Sequence, residues 1–481
     1  MINKRKSGVL MHVSSLWSEY SEGSFGREAY QWIDFLSECG FSYWQTLPFG
    51  VPDELNSPYK SFGSFSGNPF FVDLQYLYEE GLLTREELDS AKQGNPYVCE
   101  FERLNKERMA LLSKAASRIK NEDAINNFMA SHPETEKFCE YMALRAANNN
   151  LPWNEWTVTE PDPELYKTWR FAEYAFFSQW AQIKKYANSK NISIIGDIPI
   201  YVSWDSADVW SSPESFQLDE RYNPKSVAGV PPDYFSEDGQ LWGNPLYDWK
   251  KMKEDNYSWW RRRMSFMFEL FDGVRIDHFR GLQSYYSIPA SETTAKNGKW
   301  VKGPGMSLIK ALQPICQDKL IIAEDLGDIT PEVEKLVKDS GYPGMRVLQF
   351  GFVDEEETAH IPHNYIENCV AYTGTHDNNT LLGFVWDLDE PARRRMFDYF
   401  GYPYDNINDG CECMIRSLLA SNADIVILPI QDILKYGADT RMNTPGVAEG
   451  NWAYRVKREQ LSEIDRGKYK YWNSLYFRDN K

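Results

Sequence analysis

The chain has 481 residues, a formal net charge of -18 and 42% hydrophobic residues, so it can bury a large core in one large barrel or in about two to four domains. An acidic chain of this kind repels the phosphate backbone of nucleic acids and anionic membranes, and we expect neither as a partner. No run approaches the roughly 20 apolar residues of a membrane span, and no signal-peptide stretch follows the first residues, which predicts a cytoplasmic protein.

Seven cysteines are scattered along the chain without the spacing of a metal site. One residue separates the close pair Cys411 and Cys413, and an odd number of scattered cysteines is typical of reduced thiols. The cysteine spacing therefore predicts no metal site. Aromatic residues make up 15% of the chain, a share that suits a buried core and also a sugar-binding cleft, because rings stack on the apolar faces of sugars.

Eight short apolar runs of strand length follow one another along the chain, and each ends in turn-forming or polar residues. They cover residues 9–13, 43–47, 192–198, 273–276, 320–323, 345–350, 369–372 and 424–428. Amphipathic stretches with helical spacing lie between most of them, such as 30–39, 176–186 and 331–338. Alternating strands and helices favour a parallel sheet, and eight such units fit a fold of the α/β class, the (β/α)8 barrel.

Two connections are too long for simple strand-to-helix units, which predicts a single barrel domain over 1–481 with two inserted subdomains. The first, at about 50–190 after the second strand, is expected to be mostly helical, because 84–147 is rich in Glu, Lys, Ala and Leu. The second, at about 202–271 after the third strand, is rich in aromatic residues, Pro and Gly. Loops over a barrel mouth often carry function, so we expect the second insertion to wall a cleft.

The fourth apolar run leads into Arg275 and Asp277, which point to the same face of a strand because side chains alternate with period two. A guanidinium beside a carboxylate keeps that carboxylate ionised and oriented, as a nucleophile requires. The alternative is a purely structural Arg–Asp pair at a strand end.

Acidic residues also end the fifth and seventh runs, as Glu324 with Asp325 and as His376 with Asp377. One acid can donate a proton while an ionised partner attacks, with retention or inversion decided by a separation that the sequence does not give. The alternative for the first pair is helix capping. Three acidic strand ends in barrel order favour a catalytic site, where His376 and Asp377 would hydrogen-bond sugar hydroxyls.

Ten segments, spread nearly from end to end, resemble the amylomaltase or disproportionating-enzyme family, glycoside hydrolase family 77, which is related to the α-amylase barrels. They are NSPY at 56–59, GNP at 67–69, GDIPIYV at 196–202, PPDYFS at 231–236, GQLWGNP at 239–245, RIDHFRG at 275–281, AEDLG at 323–327, PGM at 343–345, TGTHDN at 373–378 and RMNTPG at 441–446.

The resemblance implies a 4-α-glucanotransferase that moves α-1,4-glucan segments to the 4-hydroxyl of glucose or another glucan, with retention and without a cofactor. Its substrates would be α-1,4-glucans, maltooligosaccharides and glucose. The implied catalytic residues are Asp277 as nucleophile, Glu324 as general acid and base, and Asp377 as the third carboxylate. The implied substrate contacts are Arg275, His278, His376, Tyr59 and Asp197 on the donor side, Trp242 and Asn244 on the acceptor side, and Asp325 in support; the loop 231–235 would close over the glucan.

Two other functions remain open at this point. An α-glucan hydrolase of the α-amylase clan would use the same groups with water as the acceptor. A noncatalytic glucan-binding protein would keep the barrel without the reaction, although keeping all three carboxylates argues against it.

Overall fold

The computed structural model describes residues 5–232, 237–353, 356–404 and 406–479. The strands are β1 (Lys6–Leu10), β2 (Tyr43–Gln45), β3 (Ser193–Ile198), β4 (Ser226–Val230), β5 (Gln240–Pro245), β6 (Gly273–Ile276), β7 (Ser284–Pro289), β8 (Lys299–Lys302), β9 (Leu320–Ala323), β10 (Gly344–Val347), β11 (Cys369–Tyr372) and β12 (Ile425–Pro429). The helices are α1 (Arg27–Glu38), α2 (Leu74–Glu79), α3 (Arg85–Ser90), α4 (Phe101–Ser117), α5 (Asp123–Ser131), α6 (Pro133–Ala147), α7 (Pro163–Ser189), α8 (Ala207–Ser211), α9 (Trp249–Glu254), α10 (Ser258–Leu270), α11 (Met306–Cys316), α12 (Pro331–Ser340), α13 (Leu381–Asp387), α14 (Glu390–Phe400), α15 (Ile407–Ala420), α16 (Ile430–Leu434) and α17 (Arg466–Leu475).

Eight strands close into a parallel barrel in the order β1, β2, β3, β6, β9, β10, β11, β12, with β12 pairing back onto β1. This confirms the (β/α)8 barrel, and each of the eight apolar runs contributes one strand to it. Side chains alternate along the strands: Ile195, Ile322 and Met345 pack together in one cluster, while their neighbours Ile194 and Ile321 belong to the larger core. The interior is thus a packed core rather than a pore.

Two barrel strands, β1 and β10, have a bound that differs by three residues from that of the apolar run. The first begins at Lys6, because polar residues there have partners: the Ser7 hydroxyl donates to Asn473 Oδ1 at 2.7 Å. Residues 13–15 then form a 3-10 turn instead of extending the strand. The sixth barrel strand, β10, ends at Val347, and Leu348–Gly351 form another 3-10 turn.

The long connection between β2 and β3 contains α2 to α7, and four of these helices, α3 to α6, lie within 84–147. The last and longest, α7, begins at the cap residue Asp162, whose side chain accepts from the Leu165 N–H at 2.8 Å, and Pro163 follows as the first helical residue. It contacts both α1 and β3. Among the described helices, none is both long enough and apolar enough to cross a membrane.

A second sheet lies outside the barrel, in the order β5, β4, β7, β8. Its strands β4 and β5 come from the connection between β3 and β6, whereas β7 and β8 come from the next connection, after β6. The antiparallel pairing of β4 with β7 joins the two connections. The apolar runs did not predict β7 and β8, which place residues beyond 271 in one sheet with the aromatic-rich connection.

The seam between β1 and β12 is held by Arg478, a completely buried side chain near the end of the described chain. Its guanidinium donates to five backbone carbonyls, those of Lys6, Leu419, Ser421, Ala423 and Asp424, at 2.6 to 3.1 Å. These carbonyls lie at the start of β1 and in the approach to β12. One side chain therefore satisfies buried backbone acceptors on both sides of the seam.

We expect Arg478→Met to destabilise the fold by on the order of 3 kcal/mol or more, because methionine fills similar space but leaves buried carbonyls without donors. Chemical denaturation followed by tryptophan fluorescence measures this. The matched control is Arg416→Met, which removes an exposed arginine bonded to the Tyr476 hydroxyl. Equal stability of the two variants would contradict a closing role for Arg478.

Candidate active site

Three neighbouring barrel strands, β3, β6 and β9, bring the predicted polar residues to one end of the barrel. Asp197 lies beside Arg275 in the register of β3 and β6. Backbone bonds extend the sheet one residue beyond the strands, since the Asp277 N–H donates to Ile198 O at 2.9 Å and the Glu324 N–H donates to Ile276 O at 3.1 Å. The carboxyl-terminal ends of the strands therefore set the backbone positions of Asp277 and Glu324.

Arg275 bridges two carboxylates with its two terminal nitrogens. Nη1 donates to Asp197 Oδ2 at 2.6 Å and Nη2 donates to Asp277 Oδ1 at 2.8 Å. The Asp197 and Arg275 side chains are almost fully buried, whereas Asp277 keeps 30% of its side chain exposed. Burial acts to lower the pKa of Arg275, but the two carboxylates outweigh it and raise that pKa well above its ordinary value. The guanidinium is thus a permanent charge that orients Asp277.

Glu324 lies in a different environment from Asp277. Its Oε2 accepts from the His278 N–H at 2.6 Å and its Oε1 from the Leu326 N–H at 2.8 Å. Burial, followed by the negative charge of Asp277, nevertheless raises the pKa of Glu324 to about 7. Burial also raises the pKa of Asp277, to about 6, and Arg275, which donates directly to this carboxylate, gives the largest opposing contribution. Asp277 therefore loses its proton before Glu324 does.

His278 adopts a left-handed backbone conformation, with φ at +50°. A bulky residue in this region is strained, and such strain persists only where the surroundings hold it. Here the adjoining amides are held from both sides, because the His278 N–H donates to the Glu324 side chain and the Phe279 N–H donates to Glu324 O at 3.0 Å. The turn after β6 thus orients Glu324.

Asp377 is held by neighbours from two segments. His376 Nε2 lies 3.3 Å from Asp377 Oδ1, and Asn443 Nδ2 donates to the same oxygen at 2.6 Å. Burial acts to raise the pKa of Asp377, but His376, the bond from Asn443 and the charge of Arg275 together hold it well below its usual range. Asn443 belongs to the RMNTPG motif at 441–446, and the sequence alone predicted no role for this residue.

Tyr59 links Asp377's side of the cleft to Asp197. Its ring stacks on His376 with centroids 4.9 Å apart, and its hydroxyl donates to Asp197 Oδ2 at 2.9 Å. Trp452 packs against both rings, at 5.9 Å from each. Tyr59 comes from the long connection after β2, so this connection contributes to the same network as the barrel strands.

Trp242 and Asn244 lie on β5, next to the strand ends. The Trp242 ring meets His278 edge to face at 4.8 Å, and Asn244 Nδ2 donates to Val202 O at 2.9 Å. Of the predicted loop 231–235, Pro231 and Pro232 are described, and 233–235 lie outside the described residues.

Asp325, which was also predicted at the site, has its partners outside the network of Arg275. Its Oδ1 accepts from the Met345 N–H at 2.6 Å, and its Oδ2 pairs with Arg346 at 3.3 Å. Both partners lie on β10, so the contacts of Asp325 hold that strand against the segment that follows Glu324. The described residues contain no group of three side chains arranged to hold a metal ion.

A known protein family covers most of the chain. The model of glycoside hydrolase family 77, described as 4-alpha-glucanotransferase, matches residues 11–461. The chain belongs to this family. The 4-alpha-glucanotransferase of Clostridium butyricum is 42% identical to it, over 93% of this chain and 95% of that protein, and the one from Streptococcus pneumoniae is 41% identical, over 96% and 95%.

A solved family 77 structure also superposes on the chain. The amylomaltase from Streptococcus agalactiae, in complex with acarbose, has a TM-score of 0.94 and 37% sequence identity, and the match covers 99% of this chain and 100% of that one. The likeness therefore extends over the barrel, the long connections and the second sheet together, which is the whole framework that carries the family 77 motifs.

We expect Arg275→Lys to lower kcat/KM for glucan transfer more than tenfold, because an ammonium cannot reach both carboxylates as the planar fork does. With less positive charge against Asp277, the acid limb of the pH profile should also move to higher pH. Measuring kcat/KM from pH 4 to 9 checks both. The control is Arg346→Lys, whose partner Asp325 lies outside the network, and an unmoved acid limb in Arg275→Lys would count against the pairing.

Proposed function

We propose that the protein is a 4-α-glucanotransferase that cleaves an α-1,4-glucan, keeps the non-reducing segment as a covalent intermediate, and passes it to the 4-hydroxyl of glucose or another glucan. The observation that carries this proposal is the pair Asp277 and Glu324. The first is held in the arginine fork and ionises more readily, while the second is buried and keeps its proton to higher pH. Opposite protonation states are what double displacement requires of two carboxyl groups.

In the first step, Glu324 protonates the glycosidic oxygen while Asp277 attacks the anomeric carbon, and the reducing-end fragment leaves. A β-linked glycosyl ester on Asp277 results. In the second step, the Glu324 carboxylate takes the proton of the acceptor 4-hydroxyl, whose oxygen attacks the same carbon and releases Asp277. Two inversions restore the α-1,4 bond, and both carboxyl groups return to their starting states.

The remaining polar groups are assigned to binding. We assign Asp377, held ionised by His376 and Asn443, to hydroxyls of the donor sugar, where such bonds strengthen as positive charge develops at the anomeric carbon. Tyr59 and His376 form a stacked wall beside it. Asp325 has no part in this scheme as a sugar ligand, because both its oxygens are engaged with β10.

We also propose that the two long connections, at about 50–190 and 202–271, act as inserted subdomains that build the cleft walls. Tyr59 comes from the first, and Trp242 and Asn244 from the second. A cytoplasmic location fits the chain as well, because all seven cysteines are free thiols and six of them are buried.

Hydrolysis is the competing reaction, since water can replace the acceptor sugar. Transfer dominates when the acceptor side holds a sugar well enough to exclude water from the intermediate. Trp242, which meets His278 edge to face beside the strand ends, offers an aromatic surface for that purpose, and the family relatives named above are transferases.

We expect purified protein, given maltotriose alone and no cofactor, to form both glucose and maltopentaose or longer chains, as chromatography would show. Asp277→Asn should abolish these products, because it removes the nucleophile. Asp328→Asn, a change of an acid with 74% of its side chain exposed, should leave them unchanged. Release of glucose and maltose alone would make the protein a hydrolase, and no reaction would support the noncatalytic alternative.

The pH dependence follows from the two raised pKa values. Below about pH 6, Asp277 gains a proton and cannot attack; above about pH 7, Glu324 loses the proton that the leaving group needs. We therefore expect a bell-shaped kcat/KM profile with its maximum between these limbs.

The basic limb can be assigned to Glu324 with a donor whose leaving group needs no proton. With α-maltosyl fluoride, Glu324→Gln should form the intermediate but fail to deprotonate an acceptor, so that a maltosyl adduct on Asp277 accumulates in intact-protein mass spectra. The same reagent should leave no adduct on Asp277→Asn. Free turnover of Glu324→Gln with unmodified maltotriose would assign the acid to another residue.

A further inference from the structure

An open groove with a volume of about 610 Å³ lies beside the second sheet, apart from the carboxylates of the active site. We call it the Tyr222 groove. Its lining includes Tyr222, Glu214, Asp219, Lys225, Asp248 and Lys251. None of the roles assigned above uses any of these side chains.

Tyr222 presents an aromatic ring at this groove with 48% of the residue exposed. Its backbone is left-handed, with φ at +63°, a conformation that costs free energy for a bulky residue. A glycine or asparagine would satisfy the turn more easily. The backbone conformation therefore gives no reason for a tyrosine here, whereas an exposed ring is a surface on which the apolar face of a sugar can stack.

The surroundings hold this strained residue in place. The Trp204 indole N–H donates to Tyr222 O at 2.9 Å, and the Trp153 ring packs against the Tyr222 ring at 5.2 Å. Asn154 Nδ2 donates to Arg221 O at 3.2 Å and to Asn223 Oδ1 at 3.1 Å. Trp153 and Asn154 come from the first long connection, so both connections fix the position of the ring before any ligand binds, which reduces the entropy lost on binding.

The charges of the groove suit a neutral ligand rich in hydroxyls. Three carboxylates, on Glu214, Asp219 and Asp248, stand with two ammonium groups, on Lys225 and Lys251. Across the described parts of the chain, no ion pair joins these five groups. Asp219 Oδ1 already accepts from the Arg221 and Asn223 N–H groups at 2.8 Å, and Asp248 Oδ1 accepts from the Lys251 N–H at 3.0 Å. The other oxygens of these two carboxylates, together with Glu214 and the two lysines, offer acceptors and donors to a ligand, and the near balance of charge offers no excess of cations for a polyanion.

The segment that follows β5 connects the proposed acceptor side of the active site with the lining of the groove. Residues 215–217, in the wall of the groove, lie against this segment. The Gln217 N–H donates to Leu246 O at 2.8 Å, and the Asp248 N–H donates to Ser215 O at 2.9 Å. Asp248 follows Asn244 by four residues, so their Cα atoms are at most about 14 Å apart. A glucan chain that leaves the cleft past Asn244 is therefore close to the groove.

We propose that the Tyr222 groove is a second α-glucan-binding site, which holds the distal part of a long glucan while the active site works on another part. The proposal rests on the transferase function proposed above. Two linked contacts raise the effective concentration of the glucan at the cleft, so the benefit falls on long chains and is absent for short ones. Tyr222 is a substrate-binding residue in this scheme and takes no part in bond cleavage.

Binding is tested by electrophoresis through gels that contain glycogen, in an Asp277→Asn background that prevents turnover and keeps the cleft identical in every lane. We expect glycogen to retard the parent, and Tyr222→Gly to weaken that retardation roughly fivefold or more, as loss of a stacking ring predicts. Tyr222→Phe should bind as the parent does. The control Tyr471→Ala removes a ring with 62% exposure on α17 and should also bind as the parent does.

Tyr222→Gly relieves the strained backbone, which offsets the lost ring contact with Trp153, so its thermal midpoint should stay close to that of the parent. A loss of binding with intact stability supports the site. Retardation of Tyr222→Gly equal to the parent's, or a parent that glycogen does not retard, overturns it.

Kinetics separate this proposal from the proposed function. With the active enzyme, Tyr222→Gly should keep kcat and KM for maltotriose within about twofold, and raise KM for amylose roughly fivefold without a change in kcat. Equal KM values for amylose in both proteins overturn the second site while leaving the transferase intact. Absence of transfer from maltotriose in the parent would instead overturn the proposed function.

Discussion

The active site depends on one buried guanidinium. Arg275 lies in the barrel with its side chain almost fully buried and divides its terminal nitrogens between Asp197 and Asp277. Without it, two carboxylates from neighbouring strands would face each other with burial and mutual repulsion both opposing ionisation. With it, Asp197 becomes an anchor for Tyr59, and Asp277 points into the cleft as an oriented anion. The register of β3 and β6 sets this arrangement, because it places Asp197 beside Arg275.

The barrel then gives three acids three different environments. Asp277 lies against the Arg275 guanidinium, and Glu324 is buried and accepts from two backbone N–H groups. Asp377 lies beside the His376 imidazole and accepts from the Asn443 side-chain amide. The ordering of their pKa values follows from these partners rather than from residue type. Asp377 stays an anion, Asp277 ionises next, and Glu324 keeps its proton longest. A division of work between chemically similar groups arises in this way from their surroundings.

The sequence was informative where physical signals are local. Apolar runs mark each barrel strand, the period of two places Arg275 and Asp277 on one face, and acids after strands identify the active end of the barrel. Features that depend on distant partners were not predictable. Asn443 reaches Asp377 from 66 residues away, the left-handed turn at His278 is held by Glu324 from the next barrel strand, and β7 and β8 join a sheet begun by an earlier connection. Asp325 looked equivalent to Glu324 by position, but its contacts lie on β10.

The closure of the barrel by Arg478 has a consequence for the order in which the protein matures. During synthesis β1 emerges before the other barrel strands, but one of its edges stays unpaired until β12 has been made. Arg478, which contacts the start of β1 and the approach to β12, follows 49 residues after Pro429. An unpaired strand edge is a template for wrong pairing and aggregation. A ribosome-bound chain therefore carries an open barrel, with one edge of β1 unpaired, at least until β12 and Arg478 have emerged.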